Sequence, residues 1–394
     1  MARILGTLAG AYLIMVLSAA AQPPDGQQIF RFDTFGDEQL WTDTLQMQTV
    51  VSSLTPRAAL GLGLKVDVEA LPPEVIAALQ ATPDALLDNP AVTIQLLALN
   101  AVVGVIGRVG TDNSLQSVGI TCALCHSTVD NSFVPGIGRR LDGWPNRSLK
   151  VGEIIASSPA LTEQQRRVYR TWKPGFYDPR LTAFNGTSFE VLNRTSLPVV
   201  IPPAYGLSGV GFETFTGDGS ISYWNAYVGI SQMGGHGDFS DPRLPLTIDQ
   251  EGPDRVTPQL PALLAYQLSL TAPAPPVGSF NVAAAQRGQQ LFNGQARCDA
   301  CHTPPTFTDV GGPSAEVPLL HSASETRMDP RYALRTVTGQ YRTTPLRGIW
   351  SHPPYFHDGS AADLPAVVNH YNRALRLGLS DAQKADLVEY LKSL

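Results

Sequence analysis

The chain has 394 residues, of which 43% are hydrophobic and 16% are charged, and its formal net charge is −6. This is the composition of a globular protein that can bury a sizeable core, and 35 Gly with 32 Pro predict long ordered loops. The charge is mildly negative and no basic run occurs, which argues against nucleic-acid binding.

The first 21 residues have the pattern of a secretory signal peptide. Arg3 supplies a positive start, residues 4–18 are apolar, and three alanines at 19–21 form a small-residue cleavage site. The apolar run is short and ends in a processing pattern, so we predict a cleaved signal rather than the alternative, a retained anchor. The mature chain is then expected in the periplasm, free of the membrane.

Helical periodicity follows at 37–54 and 72–82. The next apolar run, 91–109, is long enough to be considered as a membrane span. Polar residues such as Gln95 and Arg108 interrupt it, and a charge inside a bilayer is costly. We therefore predict a buried helix for 91–109.

All four cysteines lie in two copies of C-x-x-C-H, within TCALCHSTVD (121–130) and RCDACHTPPT (297–306). Four cysteines are too few for a disulfide framework in a chain of this length. A zinc site would need its second ligand pair nearer, and a thioredoxin-like redox site would need a single pair. The remaining alternative to haem attachment is two pairs of buried or redox-active thiols.

C-x-x-C-H is the attachment pattern of a c-type haem, in which both thiols bond the vinyl groups and the adjacent histidine ligates the iron. The spacing of one helical turn places both sulfurs on one edge of the macrocycle. We therefore predict two covalently bound c-type haems. Haem 1 is expected on Cys122, Cys125 and His126, and haem 2 on Cys298, Cys301 and His302.

The stretch RRLDGWPNRSLKVG (139–152) follows the first motif closely. Arg139, Arg140 and Arg147 are candidates to bind haem propionates, because a guanidinium suits a carboxylate. Trp144 is a candidate to pack on the ring or to bridge the two haems, and a purely structural role is the alternative.

The sixth axial position of haem 1 is the least determined feature, since the next histidine after the first motif is His236. His236 and Met233 lie in the glycine-rich stretch 223–241, whose backbone can approach a flat cofactor closely. Either side chain would complete a six-coordinate electron carrier. Otherwise haem 1 is open, and Gln232, His236 and Trp224 are candidates to line a distal pocket, where His236 or Gln232 would move a proton. A solvated surface turn is the alternative.

A weak internal repeat predicts two domains. LPALLAYQLSL (260–270) and DLVEYLKSL (386–394) both have Leu and Tyr at helical spacing, and each follows a C-x-x-C-H. The proline-rich segment 271–278 separates a domain over 25–270 from a domain over 279–394. We predict a mostly α fold of two cytochrome c-like haem domains, with the N-terminal one enlarged by long loop insertions.

The C-terminal part resembles a known family over about residues 280–394. The segments GQQLFNGQARCDACH, TPLRGI, PPYFHDG and LPAVVNHYN are similar to the C-terminal domain of the bacterial di-haem cytochrome c peroxidase family, which includes MauG-type enzymes. The resemblance implies that the distal ligand of haem 2 comes from the helix after the F-H-x-G turn. That ligand is Met in ordinary peroxidases and Tyr in MauG-type enzymes, which points here to Tyr371. His370 is the other candidate, because a histidine serves in related di-haem rubber oxygenases, and Met328 or an open site remains a further alternative.

The same resemblance implies further neighbours of haem 2. His357 is expected close to it, bonded to a propionate or to the backbone, and Arg347 is expected to pair with a propionate. Ca²⁺ bound between the domains through backbone oxygens is a further candidate cofactor. In one respect the chain departs from the family, because ordinary peroxidases carry a second histidine soon after the first motif and this chain has none before His236.

Three functions follow from these features. The first is an enzyme in which haem 1 reacts with peroxide or O₂ while haem 2 relays electrons. The second is a di-haem electron carrier with both irons six-coordinate, and the third is a dioxygenase similar to rubber oxygenases. The expected partners are a small electron-donor or electron-acceptor redox protein and a small oxidant such as peroxide.

Overall fold

The computed structural model describes residues 25–179, 196–243 and 247–394. The predicted signal peptide, residues 1–21, lies outside these described residues. Helices predominate, and long loops connect them. No helix in the described residues is long and apolar enough to cross a membrane.

The α-helices of these residues are α1 (Gly26–Phe32), α2 (Met47–Val51), α3 (Pro56–Gly61), α4 (Pro73–Ala81), α5 (Pro83–Leu87), α6 (Pro90–Ala98), α7 (Ala123–His126), α8 (Val151–Ala156), α9 (Glu163–Tyr169), α10 (Ile221–Tyr227), α11 (Leu260–Ser269), α12 (Val282–Asn293), α13 (Ala323–Thr326), α14 (Pro330–Ala333), α15 (Leu364–Ala374) and α16 (Asp381–Lys392). The strands are β1 (Val66–Asp67), β2 (Val105–Val109), β3 (Leu115–Ile120), β4 (Ser127–Val129), β5 (Ile137–Gly138), β6 (Arg140–Asp142), β7 (Phe176–Tyr177), β8 (Val199–Val200), β9 (Gly237–Ser240) and β10 (Thr247–Gln250).

The strands form small two-stranded sheets, pairing β1 with β5, β2 with β3, β4 with β6, β7 with β8 and β9 with β10. The first of these pairs is parallel and the others are antiparallel. A mostly α fold is therefore confirmed in its coarse form. The boundary at 271–278 and the division into two haem domains stay predictions.

The predicted helix over 91–109 is wrong in its second half. Helix α6 ends at Ala98, and Asn100 adopts a left-handed conformation (φ 52°) that stops it. The chain then turns at Gly104 (φ 75°), where a Cβ would come within 2.1 Å of the Leu124 backbone nitrogen. It continues as β2, which pairs with β3.

The other predicted helices are placed as expected, with one interruption. Helix α4 matches the periodicity at 72–82. The segment 37–54 is divided into a π-helical turn (Gln39–Thr44) and α2, because Gln46 between them is left-handed (φ 56°).

Both closing helices pack on an earlier helix. Helix α11 lies against α1, and α16 lies against α12 and α15. Around α16 the buried side chains form a compact apolar cluster that includes Phe292, Leu387 and Tyr390. These contacts hold the second C-x-x-C-H, which comes directly after α12.

The packing of α12 on α16 depends on Gly288. A Cβ on this residue would lie 2.1 Å from the Asp386 carbonyl oxygen and 2.7 Å from its carbon. Helix-to-helix contact this close leaves no room for a methyl group, because both neighbours are backbone atoms.

We expect Gly288→Ala to lower the free energy of unfolding by about 1–3 kcal/mol, because the added methyl group forces α12 and α16 apart. Denaturant unfolding followed by circular dichroism measures this. The matched control is Gly61→Ala, since a Cβ there meets nothing within 4 Å. Equal unfolding midpoints for the two variants would contradict this account of the packing.

Candidate functional site

The first motif (residues 122–126) is a single helical turn fixed by backbone hydrogen bonds. Thr121 N–H donates to the Gly104 carbonyl, and Gly143 N–H donates to the His126 carbonyl. The Cys122 and Cys125 thiols are free, and burial raises the pKa of each to about 12. Both sulfurs are therefore protonated, unpaired and held one turn apart.

The His126 imidazole is oriented by the loop that carries Pro202. Its Nδ1 lies 3.1 Å from the Pro202 carbonyl oxygen, and burial lowers its pKa to about 4. The ring is therefore neutral near pH 7, with Nδ1–H donating to the carbonyl. This tautomer leaves the Nε2 lone pair free for a metal, which is how protein histidines are commonly prepared for ligation.

The second motif (residues 298–302) has the same arrangement. The His302 Nδ1 lies 2.9 Å from the Phe307 carbonyl oxygen, and burial lowers the pKa of this imidazole. Cys298 and Cys301 are again free thiols. At both motifs, two thiols one turn apart and an imidazole with an available Nε2 fit a covalently attached haem.

A different donor set overlaps the second motif. Ligand atoms of Cys301, Asp309 and His321 lie within 4.8 Å of one another. His321 Nε2 lies 3.0 Å from Asp309, and Nδ1 lies 2.8 Å from Glu325. Burial opposes protonation of His321, but hydrogen bonds to the two carboxylates raise its pKa. Since a thioether to haem uses Cys301, haem attachment leaves this group as an imidazole between two carboxylates.

The two predicted distal ligands of haem 2 are neighbours on helix α15, and their side chains make different contacts. Tyr371 packs in the C-terminal apolar cluster, where burial and the charges of Cys298 and Cys301 raise its pKa to about 12. His370 instead donates from Nε2 to the Thr326 carbonyl at 2.8 Å and packs against Phe356. Of the pair, Tyr371 faces the thiols of the second motif. Ligation itself stays a prediction.

His357 and Arg347 lie where the C-terminal part meets earlier segments. The His357 ring is surrounded by Tyr332 at 4.6 Å, Tyr341 at 4.8 Å and Phe215 at 5.1 Å between ring centroids. Its carbonyl accepts from Val200 N–H, and burial lowers the pKa of its imidazole.

The Arg347 Nη2 donates to the Ser208 carbonyl at 2.7 Å, and its buried Nε has no partner within residues 25–179, 196–243 and 247–394. A propionate contact from either His357 or Arg347 stays a prediction.

The candidate distal residues of haem 1, in the glycine-rich stretch 223–241, lie in different surroundings. Met233 is buried in an apolar cluster with Phe30 and Ala123, and its carbonyl accepts from Trp41 at 2.9 Å. Gln232 donates to the Pro179 carbonyl at 2.9 Å. Trp224 packs edge-on against Tyr223 and Tyr227.

His236 fills the space that the glycines provide. A Cβ on Gly252 would come within 1.9 Å of its ring, and a Cβ on Gly36 within 2.5 Å. In the part of the chain that the structure describes, its buried Nδ1 has no hydrogen-bond partner. The glycines therefore admit an imidazole. Its assignment to a distal pocket, like those of Gln232 and Met233, stays a prediction.

Sequence reasoning did not identify Tyr177, Pro202 or Phe307 as functional residues. The buried Tyr177 has a raised pKa because of burial and the charge of Cys125, so it lies near the first motif. Pro202 and Phe307 act through backbone carbonyls, which leave no signal in a sequence.

An aromatic contact joins the segments that follow the two motifs. Trp144 lies edge-on to Tyr205 at 6.0 Å and to Trp350 at 6.1 Å between ring centroids. Beside it, Arg147 Nη2 donates to the His352 carbonyl at 3.0 Å. Burial and the charge of Arg147 lower the pKa of His352 to about 3.

Comparisons with known proteins match parts of this chain. The family model described as RoxA-like, cytochrome c-like matches residues 339–376. A cytochrome-c peroxidase of Denitromonas iodatirespirans is 29% identical, over 36% of this chain and 50% of that protein. The methylamine utilization protein MauG of Methylorubrum extorquens is 28% identical, over 28% of this chain and 34% of that protein. The chain thus spans half or less of the length of these curated relatives.

Among solved structures, a MauG-like protein associated with microbial copper homeostasis has 20% sequence identity and a TM-score of 0.37. The match covers 51% of this chain and 74% of that chain.

We expect His352→Gln to flatten the acid limb of the stability profile. The unfolded imidazole takes up a proton near pH 6.5, whereas the folded one stays neutral down to about pH 3. The unfolded state therefore binds more protons in this window, and wild-type stability falls as pH falls, by up to about 1.4 kcal/mol per pH unit from this group. Unfolding midpoints between pH 7 and pH 4 measure the difference.

His321→Gln is the control of opposite sign. Its raised pKa stabilises the folded state at low pH, and that contribution is lost as pH rises. Below about pH 6.5 this imidazole is protonated in both states, so the variant should lose a constant amount of stability along the acid limb and leave its slope unchanged. A parallel profile for His352→Gln and the wild type would contradict a neutral buried His352.

Proposed function

We propose, from the premise that this chain is a relative of the bacterial di-haem cytochrome c peroxidase and MauG-type family, that it is a periplasmic di-haem redox enzyme. Haem 1 reacts with peroxide or O₂, and haem 2 relays electrons. The observation that carries the proposal is the duplicated motif geometry, in which His126 and His302 each donate Nδ1–H to a carbonyl. When bound, the haems would be held by His126 and His302 and would supply redox-active irons that can react with a small oxidant.

Haem 1 is proposed as the reacting site because this chain lacks the second histidine that ordinary peroxidases carry soon after the first motif. Met233 packs in the apolar cluster behind Ala123, which suits a core residue as well as a ligand. Gln232 and His236 are the proposed proton-handling groups. The partnerless Nδ1 of His236 supports its role, and the Gln232 amide approaches the same Pro179 carbonyl to which Tyr227 donates.

Haem 2 is proposed as the electron relay, with Tyr371 as its distal ligand. Burial of the phenol and its packing against the same apolar cluster as Cys298 support this choice. His370 is less suited, because its Nε2 already donates to Thr326. The edge contact of Trp144 with Trp350 supports a short electron path between the two parts of the chain.

A di-haem electron carrier is the second candidate function. The observation that favours it is the burial of Met233 in the same cluster as Ala123 of the first motif, since a thioether on iron would close the open position. In both functions the proposed partner is a small redox protein. The proposal that Ca²⁺ binds between the domains rests on the family resemblance alone.

We expect the purified holoprotein to show one high-spin ferric haem by EPR and to bind CO at one haem of two after reduction. Peroxide added to the reduced protein should then be consumed with oxidation of both haems. Stopped-flow absorption measures this, and oxygen uptake without peroxide consumption would favour the dioxygenase. Two low-spin haems that ignore CO would leave the electron carrier.

We expect Tyr371→Phe to change the absorption and EPR spectra of haem 2 and to leave haem 1 unchanged, because the phenyl ring offers no ligand oxygen. His370→Gln is the matched control on the same helix and should preserve both spectra, since its amide can still donate to Thr326. The opposite pattern would assign His370 as the ligand.

A further inference from the structure

Arg147 is a buried cation with unmet hydrogen-bonding capacity. Its Nε and Nη1 are shielded from solvent and have no hydrogen-bond partner among the described residues. Its Nη2 donates to the His352 carbonyl at 3.0 Å and lies 3.4 Å from the His352 Nδ1. The guanidinium is thus fixed on one nitrogen, while its other donors face no acceptor of the described chain.

No carboxylate in the described part of the chain forms an ion pair with Arg147. Tyr205 and Tyr355 are the groups whose charges act on it, and burial lowers its pKa to about 10. It therefore remains a cation at neutral pH.

The other two candidate arginines of this segment form ion pairs. Arg140 lies 3.0 Å from Asp67, and the exposed Arg139 lies 3.0 Å from Asp130. A buried cation without an anion is costly, because nothing replaces the water that it has lost. Of the three arginines predicted to bind propionates, Arg147 is therefore the one whose charge no carboxylate of the described residues balances.

The position of Arg147 indicates which anion it serves. Asn146 N–H donates to the Cys125 carbonyl at 2.8 Å, so the loop carrying Arg147 is tied to the first motif. The charge of Arg147 also acts on the His126 imidazole. A c-type haem held at this motif brings two propionate carboxylates, and arginine pairs with carboxylates through strong charge-assisted hydrogen bonds.

We propose that Arg147 binds a propionate of haem 1, and that His352 positions the guanidinium from the C-terminal part of the chain. This inference rests on the proposed haem at residues 122–126. His352 suits the role because it is neutral and offers both its carbonyl and Nδ1 to the same nitrogen. The propionate, Arg147 and His352 then form one hydrogen-bonded line from haem 1 to the C-terminal part.

The test uses the two-haem holoprotein and spectroelectrochemistry between pH 5 and pH 9. We expect Arg147→Gln to lower the midpoint potential of one haem, so that its reduced-to-oxidised ratio at the wild-type midpoint falls about tenfold. The potential should also gain a pH-dependent slope, because the propionate loses the cation that keeps it ionised. Arg147→Lys should restore part of the potential. Arg170→Gln, which removes an exposed arginine paired with Glu163, should change neither quantity.

A folded Arg147→Gln variant with two haems and the wild-type potentials at every pH would overturn the proposal. A wild-type potential that shifts with added acetate, while the variant does not respond, would also overturn it, by assigning the anion to solution. If the glutamine variant does not fold, the lysine variant and the propionate bending band in the wild-type resonance Raman spectrum, compared in H₂O and D₂O, decide the question. A band insensitive to D₂O counts against Arg147.

Failure of the proposed function gives a different result. A chain without covalent haem shows no Soret band, and an inert di-haem protein shows no reaction with peroxide. Neither result depends on which side chain binds the propionate.

Discussion

The hydrogen bond from each motif histidine to a backbone carbonyl is the constraint on which the site depends. It fixes the tautomer and leaves the Nε2 lone pair available to a metal. At the second motif the carbonyl belongs to Phe307, within the same turn. At the first it belongs to Pro202, and the loop around Pro202 must itself be held. Ala204 N–H donates to the carbonyl of Gly143, whose own N–H donates to the His126 carbonyl. Val200 N–H donates to the carbonyl of His357 in the C-terminal part. The orientation of His126 therefore draws on both parts of the chain.

The interface between these parts combines aromatic packing with polar groups that differ in how fully they are hydrogen-bonded. Trp144, Tyr205 and Trp350 bury apolar surface through edge contacts. Tyr205 also donates to the Gly348 carbonyl at 3.1 Å. Two donors of Arg147 have no partner among the described residues, whereas buried polar groups in folded proteins are normally paired. The proposed contact of Arg147 with a propionate rests on this exception.

The sequence predicted what is encoded locally. The attachment motifs depend on four or five consecutive residues, and the periodicity of α4, α12, α15 and α16 is set by their own apolar positions. Adjacent residues on a helix point about 100° apart, so periodicity alone could not decide between His370 and Tyr371. Packing separates the two side chains, because Tyr371 packs against the C-terminal apolar cluster while His370 reaches Thr326, and the identity of the ligand stays a prediction. The error at 91–109 has the same origin, since β2 exists through pairing with β3. Pro202 and Tyr177 were beyond prediction because loops distant in sequence bring them to the motif.

The distance along the chain between each histidine and its carbonyl also implies an order of assembly. His302 and Phe307 are 5 residues apart, whereas His126 and Pro202 are 76 residues apart. Closing the longer loop costs more chain entropy, and it requires the intervening segments to fold first. The hydrogen bond of His302 can therefore form locally, before α16 packs on α12. The hydrogen bond of His126 can form only after segments distant in sequence have met.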